Sequence, residues 1–427
     1  MEEETYFPDT DHLDFSFTST ITNKSSLSSS ARSSFSCKES PTNAPTLYRH
    51  IWDPRFAEIK AAAALSADGN LQLSHLKLIR HLGTGNHGRV FLCQLKDHGG
   101  GAFALKVIDR DSLNGKKVSH AETEGKILTM LNHPFLPTLY ARIEASHYTC
   151  FLIDFCPNGD LHSLLRKQPG NRFSLPAVRF FAAEVLVALE YLHALGIVYR
   201  DLKPENVLLR DDGHIMLSDF DLSLVADVFP TVNFFRRGKR DRSVGGGCFG
   251  SSVGAADDEE VVSEFVAEPV TAFSRSCVGT HEYLAPEVVS GAGHGNSVDW
   301  WAFGVFIHEL LYGTTPFKGV NNDVTLRNIV SSSKQTTSLH VAEAGISEAK
   351  DLIEKLLVKD PSKRLGCTLG AQDIKRHPFF DGVKWALIRQ YKPPEMVGGV
   401  VAKRVHVGRV KRRRWFWKGL DSLMMRS

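Results

Sequence analysis

The stretch YRDLKPENVLL, Tyr199 to Leu209, sets three polar side chains of different chemistry into one short segment. Asp201 offers a carboxylate that can accept or orient the proton of an attacking hydroxyl. Lys203 offers an ammonium that can neutralise a phosphoryl group in transfer. Asn206, five residues after Asp201, offers an oxygen suited to a hard divalent cation. Thirteen residues beyond Asn206, the segment SDFD adds Asp219, a second oxygen donor for such a cation.

Polyphosphate chemistry also needs a cradle, and LGTGNHGRV fits one: Leu82, Gly83, Thr84, Gly85, Asn86, His87, Gly88, Arg89 and Val90. Its glycines let backbone amides approach phosphate closely. The same spacing occurs in dinucleotide-binding folds between a strand and a helix. Here strand-like RVFLCQL follows, which favours a β-hairpin over the phosphates. Lys106 in AFALK falls on the next strand and Glu124 on the next helical segment. Each alone reads as a surface charge, but in this order they fit the Lys–Glu pair that holds the α and β phosphates of ATP. Val90, Ala104 and a hinge from Asp154 to Cys156, with Ile153 at its entrance, supply apolar walls for a flat purine. ATP and Mg2+ are the cofactors this set calls for.

These residues need elements to position them. Short β-type runs dominate from about residue 76 to 152, and helical periodicity dominates from 153 to 380. The expected fold is α+β and bilobal, a strand-rich first lobe followed by a larger helical one. Ser119 is a plausible cap for the helix carrying Glu124. Residues 1–75 form a Ser/Thr-rich leader read as largely disordered, 226–272 an insertion without clear periodicity, and 381–427 a basic-aromatic tail. The apolar stretch Trp300 to Gly313 is too short and too charged to cross a bilayer and reads as a buried helix. Seven Cys without a CxxC pair support neither a zinc site nor a disulfide framework. The acidic start lacks the features of a signal peptide, so an intracellular setting is expected.

Further segments complete the pattern: GTHEYLAPE with Glu287, SVDWWAFGV with Asp299 as the expected anchor of the catalytic loop, and DPSKRLG with Arg364 as the expected partner of Glu287. With them the sequence resembles the eukaryotic protein kinases of the AGC class. Within that class it is most similar to the plant group marked by DFD and an insertion before APE, the WAG kinases and their PINOID relatives. The resemblance implies a bilobal kinase fold and a Ser/Thr kinase, with DLKPEN as the Ser/Thr rather than the Tyr form. Asp221 replaces the usual Gly of the metal-binding motif. Asp tolerates unusual φ values, so a harmless family variant is expected. The alternative is a non-catalytic adaptor, against which stands the presence of Lys106, Glu124, Asp201, Lys203, Asn206 and Asp219.

The resemblance also implies a basophilic peptide groove built from Asp160, Glu205 and Glu309. Asp160 has a second possible partner in the ATP ribose, and Glu309 a structural alternative in local helix contacts. It implies an activating phosphate on Ser276 for which Arg200 and His120 are the candidate partners, and PIN-type auxin efflux carriers as protein substrates in the regulation of polar auxin transport. No F-x-x-F docking motif occurs toward the C-terminus, so autophosphorylation is as open as activation in trans. The net charge is only +3, yet Lys403 to Lys418 carries eight Lys or Arg and no acid, interleaved with Trp415, Phe416 and Trp417. The insertion has a second cluster, Arg236, Arg237, Lys239, Arg240 and Arg242. Such stretches suit an anionic membrane, a nucleic acid or an import receptor. The peripheral plasma membrane is preferred over nucleic acid, and a monomer is expected.

Overall fold

The computed structural model describes residues 53–85, 88–96, 101–237, 260–331 and 345–397. All lie within one compact unit running from Leu47 to Ser427. The first lobe is a five-stranded antiparallel sheet in the order β1-β2-β3-β5-β4. Its strands are β1 (Leu76–Thr84), β2 (Arg89–Leu95), β3 (Phe103–Asp109), β4 (Leu139–Ala145) and β5 (Tyr148–Asp154). The glycine-rich segment is the tip of the β1/β2 hairpin, closed by Gly85 N donating to Gly88 O at 2.9 Å. The hairpin reading therefore holds.

Two helices flank this sheet, and both depart from the sequence reading. The helix carrying Glu124 runs Gly115–Met130, and its cap is Asn114, whose side chain accepts from Lys117 N at 3.1 Å. Ser119 lies inside the helix, where its carbonyl accepts from Thr123 Oγ1 at 2.9 Å. The other helix, α1, spans Pro54–Ala63, so regular structure is present ahead of residue 76, where the sequence reading has only a leader. Asp53 caps it by accepting from Arg55 N, and Pro54 takes the first turn, where its missing N–H is no loss. Ile59 and Ala62 bury against Leu76, Phe103, Tyr140 and Ile143. With the Glu124 helix labelled α2, the described helices of the second lobe begin with α3 (Leu161–Leu165) and α4 (Leu175–Ala194).

The second lobe forms around α4 and a later helix, Ser297–Tyr312. Between α4 and that helix lie the short strands β6 (Ile197–Val198), β7 (Val207–Leu209), β8 (Ile215–Leu217) and β9 (Leu224–Val225), and a short helix α5 (Pro286–Val289), which makes Ser297–Tyr312 α6. Every residue of α6 from Val298 to Tyr312 is buried, as read from its apolar run. Gly313, at φ 76°, ends it in a left-handed turn. Arg364, fully buried, donates Nη1 and Nη2 to the two oxygens of Glu287 at 2.7 and 2.9 Å, as expected from sequence. Among the described residues no helix is long and apolar enough to cross a membrane.

The insertion is more regular than its composition indicates. β10 (Thr231–Arg237) and β11 (Glu260–Val266) pair antiparallel from Thr231 opposite Val266 to Arg237 opposite Glu260. Their β-branched and aromatic residues suit strand pairing, and the Gly/Ser-rich stretch between them obscures the pattern in sequence. Lys239, Arg240 and Arg242, the Ser-rich leader before Asp53 and the basic-aromatic cluster Lys403–Lys418 lie outside the described residues. The tail before that cluster packs on the second lobe: Ile388 is buried, and Gln168 exchanges two hydrogen bonds with the Val397 backbone.

Candidate active site

The catalytic loop is held from below by α6. Asp299 in its first turn is wholly buried and accepts from Tyr199 N at 2.7 Å and Arg200 N at 2.8 Å. These bonds fix Arg200 at φ 64°, a strained backbone for a non-glycine residue. On the far side of Asp299 stands His193, from α4, with Nε2 at 2.9 Å from Asp299 and Nδ1 at 2.7 Å from Glu268. Burial would push this imidazole toward neutrality, but the Glu268 and Asp299 carboxylates raise its pKa to about 10. Glu268 follows directly on the insertion ribbon, so that ribbon is rooted in the same buried triad as the catalytic loop.

Above this anchor the predicted catalytic residues converge. Lys203 Nζ donates to Asp201 Oδ2 at 2.9 Å, and Asn206 Nδ2 donates to the Asp201 carbonyl and to Oδ2, both at 2.8 Å. Thr280 joins them: its Oγ1 accepts from Lys203 Nζ at 2.8 Å and donates to Asp201 Oδ1 at 3.2 Å. Thr280 was not assigned a role from sequence, although it lies in the quoted GTHEYLAPE. Its hydroxyl fixes the rotamer of Asp201 by holding the oxygen that the lysine and asparagine leave open.

The opposite wall comes from the sheet. Lys106 Nζ lies 2.5 Å from Glu124 Oε1 and 3.0 Å from Asp219 Oδ1, so the expected ion pair is formed and Asp219 shares it. Burial would lower the Lys106 pKa, but the two carboxylates raise it above its ordinary value, and the ammonium stays charged. Val90 lies opposite Lys106 and Ile153 opposite Ala104, which puts all four on one face of the sheet. A Cβ on Gly88 would stand 2.3 Å from the Val107 carbonyl oxygen, so backbone approach there requires glycine. Leu82, Gly83, Thr84, Gly85 and Arg89 sit along the hairpin; Asn86 and His87 lie outside the described residues.

Asp154 and Asp221 depart from their sequence reading. Asp154 lies on the face of β5 away from Ala104 and Lys106, and its carboxylate accepts from Thr138 N and Tyr140 OH, both at 3.0 Å. Only its main chain is left to face a purine. In the DFD motif the left-handed residue is Asp219, at φ 61°, whereas Asp221 does not have positive φ. Asp221 therefore needs no conformational allowance, because its position does not require glycine. Asp221 is 2% exposed, and its charge, with that of Asp219, adds to the burial that raises the pKa of Glu124. Ser276 is exposed, and the serine on Arg200 Nη1 is Ser274, at 3.1 Å; Ser276 N donates to the same Ser274 hydroxyl at 3.1 Å.

Comparison with known proteins agrees with this geometry. The protein kinase domain family matches residues 76–231 and 249–380. The chain is 61% identical to the serine/threonine-protein kinase WAG1 of Arabidopsis thaliana, across 99% of this chain and 94% of that protein. It is 62% identical to WAG2 of the same plant, across 99% and 93%, and 46% identical to protein kinase PINOID 2 of Oryza sativa subsp. japonica, across 80% and 81%. The chain belongs to the protein kinase family. It is a serine/threonine kinase of the WAG/PINOID type, with the bilobal fold that its sequence led us to expect.

The family uses ATP and a divalent metal, and the kinase's residues fit both. Asn206 spends its amide nitrogen on Asp201, which leaves its oxygen, with the Asp219 carboxylate, for a hard cation. Bound there, the metal would neutralise polyphosphate charge; Lys106 would orient the phosphates and Asp201 the acceptor hydroxyl. Cys156, at the hinge, is buried with Sγ 3.8 Å from Met216 Sδ, and burial pushes its thiol up to about 12, so it packs as an apolar group. Leu208, unassigned from sequence, is half-buried between buried neighbours and bridged to Asp160, at the hinge end of the cleft. Asp160 caps α3, accepting from Ser163 N at 2.7 Å and Ser163 Oγ at 2.8 Å. Glu309 is buried and accepts from Tyr283 OH at 2.6 Å, with Arg166 Nη2 3.6 Å away. Glu205 is half exposed, with His162 Nε2 at 3.8 Å.

Proposed function

We propose that this kinase uses Mg–ATP to phosphorylate serine or threonine downstream of basic residues in membrane transport proteins, working as a monomer at an anionic plasma-membrane surface. Its resemblance to the WAG kinases points to PIN-type auxin efflux carriers, and so to polar auxin transport. The observation that carries the basophilic reading is that the half-exposed Glu205 carboxylate acts electrostatically on the buried Glu309. Burial raises the Glu309 pKa, and the Glu205 charge pushes it further in the same direction. With Arg166 on one side of Glu309 and His162 beside Glu205, the two carboxylates can still take a further cation, and a substrate arginine can join them with Asp160 as the third acid.

The test compares two serine peptides, one with upstream arginines and one with alanines in their place. Glu205→Ala should raise KM for the arginine peptide about tenfold, the worth of one charge-assisted hydrogen bond, and leave the alanine peptide unchanged. Equal effects on both peptides, or none on either, would remove the basophilic assignment. The membrane reading rests on the two basic clusters, at about 1 kcal/mol per basic residue near an anionic surface. Neutralising Arg236 to Arg242 and Lys411 to Arg414 should abolish co-sedimentation with anionic liposomes, and unchanged sedimentation would refute it.

A further inference from the structure

We propose that α1, the helix ahead of the kinase domain, is a clamp on the hinge, in which Arg55 is a positioning residue for nucleotide binding that acts through the carboxylate of Asp154. Asp154 is the last residue of β5, where the chain leaves the first lobe for the second, and it is 3% exposed. Its Oδ1 accepts from Tyr140 OH at 3.0 Å and lies 3.1 Å from Arg55 Nη1. Its Oδ2 accepts from Thr138 N at 3.0 Å and lies 3.5 Å from Nη2 of Arg210, which follows β7 in the second lobe. One buried carboxylate thus joins β4, the second lobe and a helix that precedes the matched domain, residues 76 to 380.

Arg55 is itself fixed on several sides. Its Nε and Nη2 donate to Asp53 at 3.0 and 2.8 Å, and its guanidinium lies 4.7 Å from the centre of the Tyr140 ring. Tyr140 OH also lies 2.8 Å from Asp53, so Asp53, Arg55, Tyr140 and Asp154 form one closed set. Two arginines balance two aspartates, and removing Arg55 strands negative charge in a buried place. A helix of ten residues has little stability alone, so its order depends on this docking and on Ile59 and Ala62. The hinge main chain at 154–156, which must face the purine, then inherits its position from α1. Peptide binding and the phosphoryl-transfer groups around Asp201 are not in this set.

The experiment is calorimetric titration of the full chain with a non-hydrolysable ATP analogue and Mg2+, alongside steady-state kinetics. Arg55→Ala should weaken analogue binding and raise KM for ATP about tenfold, the usual size of such coupling, while stoichiometry, kcat at saturating ATP and KM for peptide stay near wild type. Arg55→Lys should recover part of the loss, because it keeps the charge but not the planar fork. Ile59→Ala, which loosens the helix without touching the charges, should shift ATP affinity in the same direction. Unchanged ATP affinity in Arg55→Ala would overturn the proposal. So would a lowered stoichiometry at unchanged affinity, which would assign Arg55 to folding alone.

Discussion

The catalytic loop and the hinge each rest on one buried aspartate, and the two supports are built differently. Asp299 has two backbone amides on one side and the His193 imidazole on the other, and both His193 and the Glu268 behind it are buried. Asp154 has one backbone amide, a tyrosine and two arginines, one of them from a helix outside the kinase domain and about one-third exposed. Both carboxylates are satisfied, as burial demands. Asp299, however, fixes a strained segment within one lobe, whereas Asp154 ties two lobes and a helix together through long side chains. The first arrangement suits a site that must not move. The second suits a joint that opens and closes around nucleotide.

The contrast predicts separable defects. Asp299→Ala should have the largest effect, because it orphans two loop amides and leaves the His193 charge with only Glu268. A stability loss of about 3–5 kcal/mol in urea denaturation is expected. In the protein that remains folded, kcat should fall about a hundredfold or more through misplacement of Asp201, with ATP affinity much less changed. If Asp299→Ala weakened ATP binding and spared kcat, the division of labour between the two aspartates would be wrong.

A smaller effect should follow from pH. The folded pKa of His193, about 10, lies above its ordinary 6.5, so the folded state binds the extra proton. The stability it contributes is fully present below about pH 6.5 and is lost as pH rises through about 10. Glu268→Gln removes a charge that raises this pKa, so the variant should be less stable than wild type at pH 7 and lose less between pH 7 and 9.5. Denaturation midpoints at the two pH values decide the matter; parallel losses in both proteins would show that the triad does not hold its proton as described.

The smallest expected effect belongs to Asp221→Gly, at the buried second acid of the DFD motif. Since Asp221 needs no left-handed backbone, glycine brings no conformational relief, and turnover should stay within about tenfold, or about 1.4 kcal/mol in barrier. Complete inactivation would reveal a catalytic or metal-holding role for this second acid.

Much of this site was legible because its chemistry is local in sequence. Asp201, Lys203 and Asn206 lie in one loop, and Lys106 and Glu124 follow one another on successive elements, so spacing alone suggested their meeting. Thr280 was hidden because a hydroxyl gains a role only when folding brings residue 280 to Asp201. Glu268 and Arg55 were hidden for a stronger reason: one meets the His193 imidazole and the other the Asp154 carboxylate, each far along the chain, with no periodicity linking the partners. The Asp53-Pro54 start signal of α1 was present, but the helix buries chiefly Ile59 and Ala62, too narrow a stripe to stand out beside a Ser-rich leader. In the insertion, the pairing of β10 with β11 depends on closing a long Gly/Ser-rich connection, which local pattern does not report.

The most direct measurement of the central claim is transfer of labelled γ-phosphate from ATP to a serine peptide, by the purified full chain and its Asp201→Asn variant in parallel. Asparagine keeps the size of the side chain but lacks the carboxylate that orients the acceptor proton. The account predicts magnesium-dependent incorporation by the wild type and loss of nearly all of it in the variant, with ATP binding retained. Equal incorporation by the two proteins, or none by the wild type while it binds ATP normally, would contradict it.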